Sequence, residues 1–393
     1  MLKREPAMLT PTEASRAAGF PGKTVLFTAI LAVTMAAGCG AVSGNISALP
    51  EKSGGRTAAT PTFSTVAAQN GAVILTLKDT TSGAKIYYTT DGSTPTTSSI
   101  QYLAPFLVDT NITVKAIATA TGYSASALAS QTYSPNIASG TLVWSDEFTN
   151  SGSSPAQPNP ATWTYDTGAG GWGNNELETY CAWGSNTSPC NSSNPNAFVG
   201  TDGYLHIVAE QPTSGTYTSA RMKSQGLFSF MYGRIEARLE VPESQGMWPA
   251  FWMLGNNITT VNWPACGESD IMEHIDGSVP PNPNLGYDWY QASVHGTNLN
   301  GGSPYGNSTF SAATWHTYGM IWTKGQVQFY IDDPSTPYET FNPGNISGTW
   351  PFDQGPMFVI LNLAVGGNWP GNPNSTTVFP STYLVDYVRI YTN

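Results

Sequence analysis

An all-β chain made of a small β-sandwich followed by a much larger one is what this sequence predicts, on three observations. Apolar residues recur with period two, or in short continuous runs of strand length, and no long stretch carries a helical period. Turn formers punctuate those runs: 40 Gly and 29 Pro in 393 residues interrupt helices and suit tight connections. Finally, a Gly-, Ser-, Ala- and Thr-rich stretch at 40–61 separates an apolar leader from everything that follows.

Taken in order, Lys23 precedes the run Val25-Leu-Phe-Thr-Ala-Ile-Leu-Ala-Val-Thr-Met-Ala-Ala37, too short for a comfortable membrane span and shaped like a secretory signal covering 1–39. Ala36-Ala-Gly-Cys39 resembles a bacterial lipobox, with Ala36 where leucine is usual. It implies a lipid anchor at Cys39 and an extracytoplasmic, surface-held protein; simple cleavage and release of a soluble product is the alternative. Residues 40–61 have the composition of a flexible tether.

The small sandwich is expected over 62–134, with an Ig-like build. Ala72-Val-Ile-Leu-Thr-Leu77, Lys85-Ile-Tyr-Tyr-Thr-Thr90 and Ile112-Thr-Val-Lys-Ala-Ile-Ala118 are its strands, with turns at Asp91-Gly92 and Thr121-Gly122. Tyr-Tyr-Thr-Thr-Asp-Gly-Ser-Thr-Pro at 87–95 resembles the signature of chitobiase C-terminal-like domains. A spacer and a weak glycan-binding module both fit that resemblance.

The large sandwich is expected over 140–393. In Tyr232-Gly-Arg-Ile-Glu-Ala-Arg-Leu-Glu-Val241, alternation puts Arg234, Glu236, Arg238 and Glu240 on one face, expected to be solvated and ion-paired. Val327-Gln-Phe-Tyr-Ile331 is a further strand, and Met357-Phe-Val-Ile-Leu-Asn-Leu363 is apolar almost throughout, as for a strand buried on both sides. Two packed, curved antiparallel sheets with one concave face account for this pattern.

Charge narrows the partners. The formal net charge is −11, and only 10% of residues are charged, so no Lys/Arg cluster exists to neutralise phosphates. Nucleic acid is excluded as a partner, and sulphated polysaccharide is disfavoured. Of four cysteines, setting Cys39 aside leaves Cys181, Cys190 and Cys266, enough for one bridge and one free thiol. Cys181 with Cys190 would staple a loop, and Cys266 is expected to be buried as a small hydrophobe rather than to act as a nucleophile.

The chemistry concentrates in Glu268-Ser-Asp270-Ile-Met-Glu273, three carboxylates in an otherwise charge-poor region. In a regular strand Glu268 and Asp270 share a face and Glu273 points the other way. A β-bulge at Ile271-Met272 would return Glu273 to the first face. Crowded acids push some members toward protonation, and retaining glycoside hydrolysis needs one ionised carboxylate and one protonated one, roughly 5–5.5 Å apart. Trp248, Trp252 and Trp263 lie just upstream and His295 downstream. Indole rings suit the C–H faces of sugars.

With these flanks the segment 140–393 resembles bacterial laminarinase-type members of glycoside hydrolase family 16. The resemblance is carried by Trp172-Gly-Asn174-Asn175-Glu176-Leu, Tyr217-Thr-Ser-Ala-Arg221, Gly226-Leu-Phe-Ser-Phe-Met-Tyr-Gly233-Arg-Ile-Glu236-Ala-Arg238, Met247-Trp-Pro-Ala-Phe-Trp-Met-Leu254, Trp263-Pro-Ala-Cys-Gly-Glu268, Leu361-Asn362-Leu-Ala-Val-Gly-Gly-Asn368-Trp369-Pro-Gly and Leu384-Val-Asp386-Tyr-Val-Arg-Ile-Tyr391. It implies a β-jelly-roll endo-β-1,3-glucanase acting by double displacement. Glu268 would be the nucleophile, Glu273 the acid/base and Asp270 the assisting acid. Substrate contacts would come from Trp248, Trp252, Trp263, His295, Asn174, Arg221 and Asn362. Ser269 stands where the family has Ile or Leu, on the side away from the cleft. The resemblance also implies a structural calcium ion near Glu147, Gly203 and Asp386, and no organic cofactor.

A monomeric enzyme on neutral β-glucan is therefore expected, its linkage preference open between β-1,3- and mixed β-1,3/1,4-glucan. A non-catalytic glucan-binding protein on the same scaffold and a transglycosylase are the competing expectations.

Overall fold

The computed structural model describes residues 55–275, 289–306 and 310–393. Residues 1–39, read as an export leader ending at Cys39, and most of the 40–61 stretch lie outside the described residues. No helix among the described residues is long and apolar enough to cross a membrane.

The large sandwich consists of two sheets. One runs in the order Leu299–Gly306, Trp289–Gly296, Glu268–Glu273, Met247–Gly255, Met357–Val365, Arg221–Lys223, Thr164–Asp166, antiparallel at every junction. The other centres on Ser381–Tyr391, flanked by Leu205–Thr213 and Gly233–Glu240 and continued outward through His316–Thr323 and Gln326–Ile331. Their inner faces interdigitate in a core that includes Met222, Ile235, Phe251, Met253, Ile271, Met272, Met320, Trp322 and Leu361. Complete burial of each large apolar side chain contributes about 1.5–3 kcal/mol.

Met357–Val365 is buried at all nine positions, as its unbroken apolar run predicts. Alternate residues from Met357 to Val365 enter the main core. Phe358 and Ile360 face the other way and join Leu254, Cys266 and Trp252 in a second cluster. That cluster floors one end of the opposite face.

The face of Gly233–Glu240 expected to be solvated is covered instead. Glu236 is only 6% exposed, accepting hydrogen bonds from Tyr330 Oη at 2.6 Å and Tyr391 Oη at 3.1 Å and pairing with Arg234. The strand lies between two others, and its arginines stack under rings, Arg234 on Tyr391 and Arg238 on Trp315. Alternation correctly grouped the four charges but could not show that aromatic side chains roof them.

The small sandwich pairs one sheet of Thr62–Ala67, Val73–Lys78 and Phe106–Val108 with another of Ile100–Gln101, Lys85–Thr89, Ile112–Thr119 and Ala129–Tyr133. Leu75, Leu77, Ile86, Tyr88, Phe106 and Val114 fill it. It is seated directly on its larger neighbour. Leu107 N–H donates to Ser229 O and Ser229 Oγ–H to Pro105 O, both at 2.9 Å, while Gln69 N–H reaches Val143 O at 3.0 Å. Ala72 and Leu107 belong to the large core.

Candidate active site

The acidic strand is bulged where its spacing required. Against Met247–Gly255, Asp270 pairs with Trp252 and Met272 with Phe251, so Ile271 is the extra residue. Against Trp289–Gly296, Asp270 pairs with Ser293 and Glu273 with Gln291, three steps opposite two. Ile271 and Met272 are both driven into the core. Burial of that apolar pair offsets the cost of the disrupted ladder and turns Glu273 to the side of Glu268 and Asp270. Ser269, fully buried with Oγ 3.1 Å from Met320 Sδ, faces inward between the sheets.

The three acids share one hydrogen-bonded cluster. His295 Nε2 lies 3.1 Å from Asp270 Oδ2 and 3.8 Å from Glu268 Oε1. Ser293 Oγ sits 2.6 Å from Asp270 Oδ2 and 3.3 Å from Glu273 Oε2, and Trp248 Nε1–H donates to Glu273 Oε1 at 3.0 Å. Ser293 was not singled out from the sequence. Its signal was there, because Ser293 and His295 are two residues apart on a strand and therefore share a face.

Burial and the Asp270 charge push the Glu268 carboxyl up to about 8, while His295, Arg221 and the Trp263 indole N–H act in the opposite sense. Glu273 is raised well above the ordinary range by burial and by both neighbouring acids. His295 is raised to about 9: burial alone would lower it, but its hydrogen bond to Asp270 and the surrounding carboxylates outweigh that. At neutral pH the cluster therefore holds a cationic imidazole and retains its most tightly bound carboxyl proton on Glu273.

Beside the acids the wall is aromatic and pre-positioned. Trp252 Nε1–H donates to Asn362 Oδ1 at 2.7 Å, and Asn362 Nδ2–H donates to Tyr180 Oη at 3.3 Å. Tyr180 Oη–H continues to Glu176 Oε2 and Asn174 Nδ2–H to Glu176 Oε1, both at 3.2 Å. Asn362 thus orients Trp252, and its amide keeps a second N–H. Arg221 stacks between Trp252 and Trp172, 4.5 and 5.5 Å from the ring centroids, with Nε 3.1 Å from Asp166 Oδ2. Trp263 is 57% exposed, its ring centroid 6.4 Å from that of His295. Trp172 and Glu176 were visible in a recognised motif, with Tyr180 just beyond it and not singled out, but their roles emerge only from long-range contacts.

The calcium expectation rests on the Asp386 carboxylate and on backbone carbonyls at Glu147 and Gly203, oxygens a hard cation accepts, and the side chains there also carry ion pairs. Both Glu147 oxygens accept from Arg389, at 2.9 and 2.8 Å, and Asp386 Oδ2 accepts from Arg238 at 2.7 Å. Among the described residues, the His, Cys, Asp and Glu donors close enough to share a cation are those of Glu268, Asp270 and His295, already occupied with one another. The Cys181–Cys190 disulfide is present. Cys266 is a buried free thiol, pushed by burial and by Glu268 to about 11, too high for a nucleophile at neutral pH.

A bulged strand bearing a coupled carboxylate set beside a row of indoles is a glycosidase arrangement, and comparison with known proteins agrees. The profile of the glycosyl hydrolases family 16 matches residues 184–389. The chain belongs to that family. A second profile, described as Fn3 associated, matches residues 75–133 within the small sandwich. A β-glucanase of Rhodothermus marinus is 38% identical over 270 residues, covering 64% of this chain and 84% of the relative. Glucan endo-1,3-β-glucosidase A1 of Niallia circulans is 32% identical over 288 residues, 65% of this chain and 38% of that one. Among solved structures, the catalytic domain of an endo-1,3-β-glucanase (laminarinase) from Thermotoga petrophila RKU-1 superposes with a TM-score of 0.54 at 34% identity, covering 65% of this chain and 99% of that one. This family 16 glycoside hydrolase therefore has a laminarinase-like jelly roll as its large sandwich.

Proposed function

We propose that the protein is an endo-acting retaining glycoside hydrolase that cleaves β-1,3-glucan by double displacement. The observation that carries this is the bulge, which sets Glu268, Asp270 and Glu273 on one face, with Glu273 raised further than Glu268. Glu268, the less elevated of the two glutamates and the one nearer His295, attacks the anomeric carbon and forms a glycosyl ester. Glu273 gives its proton to the leaving oxygen, then takes one from the water that hydrolyses the ester. Asp270, held by Ser293 and His295, sits between them and adjusts the shared proton.

The substrate class is supported by the relatives named for 1,3-β-glucan and by the low charge of the chain, which suits a neutral polymer. Export through the 1–39 leader, with Cys39 as lipid anchor, fits a polysaccharide too large to enter the cell.

The test is product analysis on laminarin, lichenan and agarose beside Glu268→Gln. The expected result is β-1,3-linked oligosaccharides of retained configuration from laminarin and a loss of about 10⁴-fold or more in the variant, as for removal of a covalent nucleophile. Inverted products would remove the ester intermediate, and an active variant would remove the assignment of Glu268.

A further inference from the structure

The seam between the two sandwiches encloses a cavity of about 500 Å³, within the range that accommodates small ligands. The small sandwich contributes Tyr87 and Gln101, cross-strand neighbours on adjacent strands. The large one contributes Asn256, Asn257, Val261 and Gln354. Among the described residues, no Asp, Glu, Lys, Arg or His lines it. Amides, hydroxyls and one half-buried tyrosine alternate there with apolar side chains such as Ile100, Leu103 and Pro356, a mixed lining that suits a neutral polyhydroxyl ligand: hydroxyls meet the amides, and C–H faces meet the ring and the apolar groups.

The local structure explains why these groups are available. Along Lys85–Thr89, Ile86 and Tyr88 turn into the small core while Tyr87 lies on the opposite face. Asn256 is anchored through its backbone N–H to Pro356 O at 3.0 Å. Helix Ile258–Val261 buries none of its residues, and Val261 is 43% exposed.

The cavity is separate from the cleft. Arg221, Asn362, Trp252, Asp270 and Ser293 come from successive strands, so the cleft crosses the strands. The cavity lies beyond the strand end at Gly255, three residues past Trp252, roughly 10 Å along the strand. The segment between Gly255 and Glu268 separates the two, with Trp263 near His295 and with Asn256, Asn257 and Val261 lining the cavity.

We propose that this cavity is a second, non-catalytic saccharide site, which binds a neutral glucan chain or branch beside the cleft and exists only because the small sandwich is docked. This rests on the β-glucan reading above. It gives the small sandwich a task that neither a spacer nor an isolated binding module would perform, since half of the site belongs to the large sandwich.

The test uses the full chain carrying Glu268→Gln, titrated calorimetrically with a β-1,3-linked gluco-oligosaccharide. The expected stoichiometry is two ligands per protein. It falls to one when Tyr87→Ala is added, stays at two with Tyr87→Phe, and falls to one with Asn257→Ala, a second variant that does not touch the small core. A stoichiometry of one before any cavity substitution, or of two after both alanine substitutions, overturns the inference. Turnover of laminarin by the unsubstituted protein keeps the two failures apart. Without turnover the β-glucan reading falls and this one with it; with turnover and a single binding equivalent, only the cavity assignment falls.

Discussion

His295→Gln separates the charge of the imidazole from its hydrogen bond. The imidazole Nε2 lies 3.8 Å from Glu268 Oε1 and 3.1 Å from Asp270 Oδ2. It is cationic at neutral pH because its pKa is raised to about 9. At an effective dielectric of about 20, a unit charge at 3.8 Å stabilises ionised Glu268 by at most about 4 kcal/mol. His295 is 25% exposed, so solvent screening lowers this Coulomb bound to about 1.5–3 kcal/mol. That is about 1–2 pH units. A cation favours the ionised carboxylate, so its loss raises the Glu268 pKa. Glutamine keeps a donor but no charge. The acid limb of the kcat/KM profile, set by nucleophile ionisation in the free enzyme, should therefore move up by about 1–2 units, lowering neutral kcat/KM by about 10–100-fold. The assay is initial-rate hydrolysis of a soluble β-1,3-glucan from acid to alkaline pH. An unmoved or downward-shifted acid limb would refute the electrostatic role, leaving His295 a packing residue.

Three other outcomes follow from the same geometry. Trp248→Phe removes the donor to Glu273 Oε1, which disfavours the ionised acid/base, so the basic limb of kcat/KM should move to higher pH; a fall in rate with both limbs in place would contradict this. Glu236→Leu leaves the half-buried Arg234 beside Tyr330 and Tyr391 without its carboxylate and should cost about 1.5–3 kcal/mol in denaturant unfolding, whereas a solvated ion pair would cost at most about 1. Cys266, buried with its thiol raised to about 11, should resist alkylation in the native protein and react on unfolding; rapid native labelling would show that the region beside Glu268 opens.

Much of the site was legible because it is local. The acids, their bulge and the inward turn of Ser269 follow from period-two alternation plus one extra residue, which any six-residue window exposes. The Cys181–Cys190 pairing could be picked from a loop of suitable length. Glu236 was misjudged for the converse reason: its cover comes from Tyr330 and Tyr391, far along the chain. Asn362 was read as a sugar contact, and its link to Trp252 and Tyr180 could not be seen beside it, because only strand register brings those partners within reach.

The sequence by itself determined the two sandwiches, the acidic strand and the side of that strand on which each acid stands, since backbone alternation and burial of Ile271 and Met272 are properties of neighbouring residues. Tertiary structure decided which of the two glutamates holds its proton more tightly, the burial of Glu236, the pairing of Glu147 and Asp386 with arginines, and the cavity at the seam. Electrostatic fields and enclosed volumes depend on distances between chain-distant groups, and those distances are fixed only once the sheets have packed.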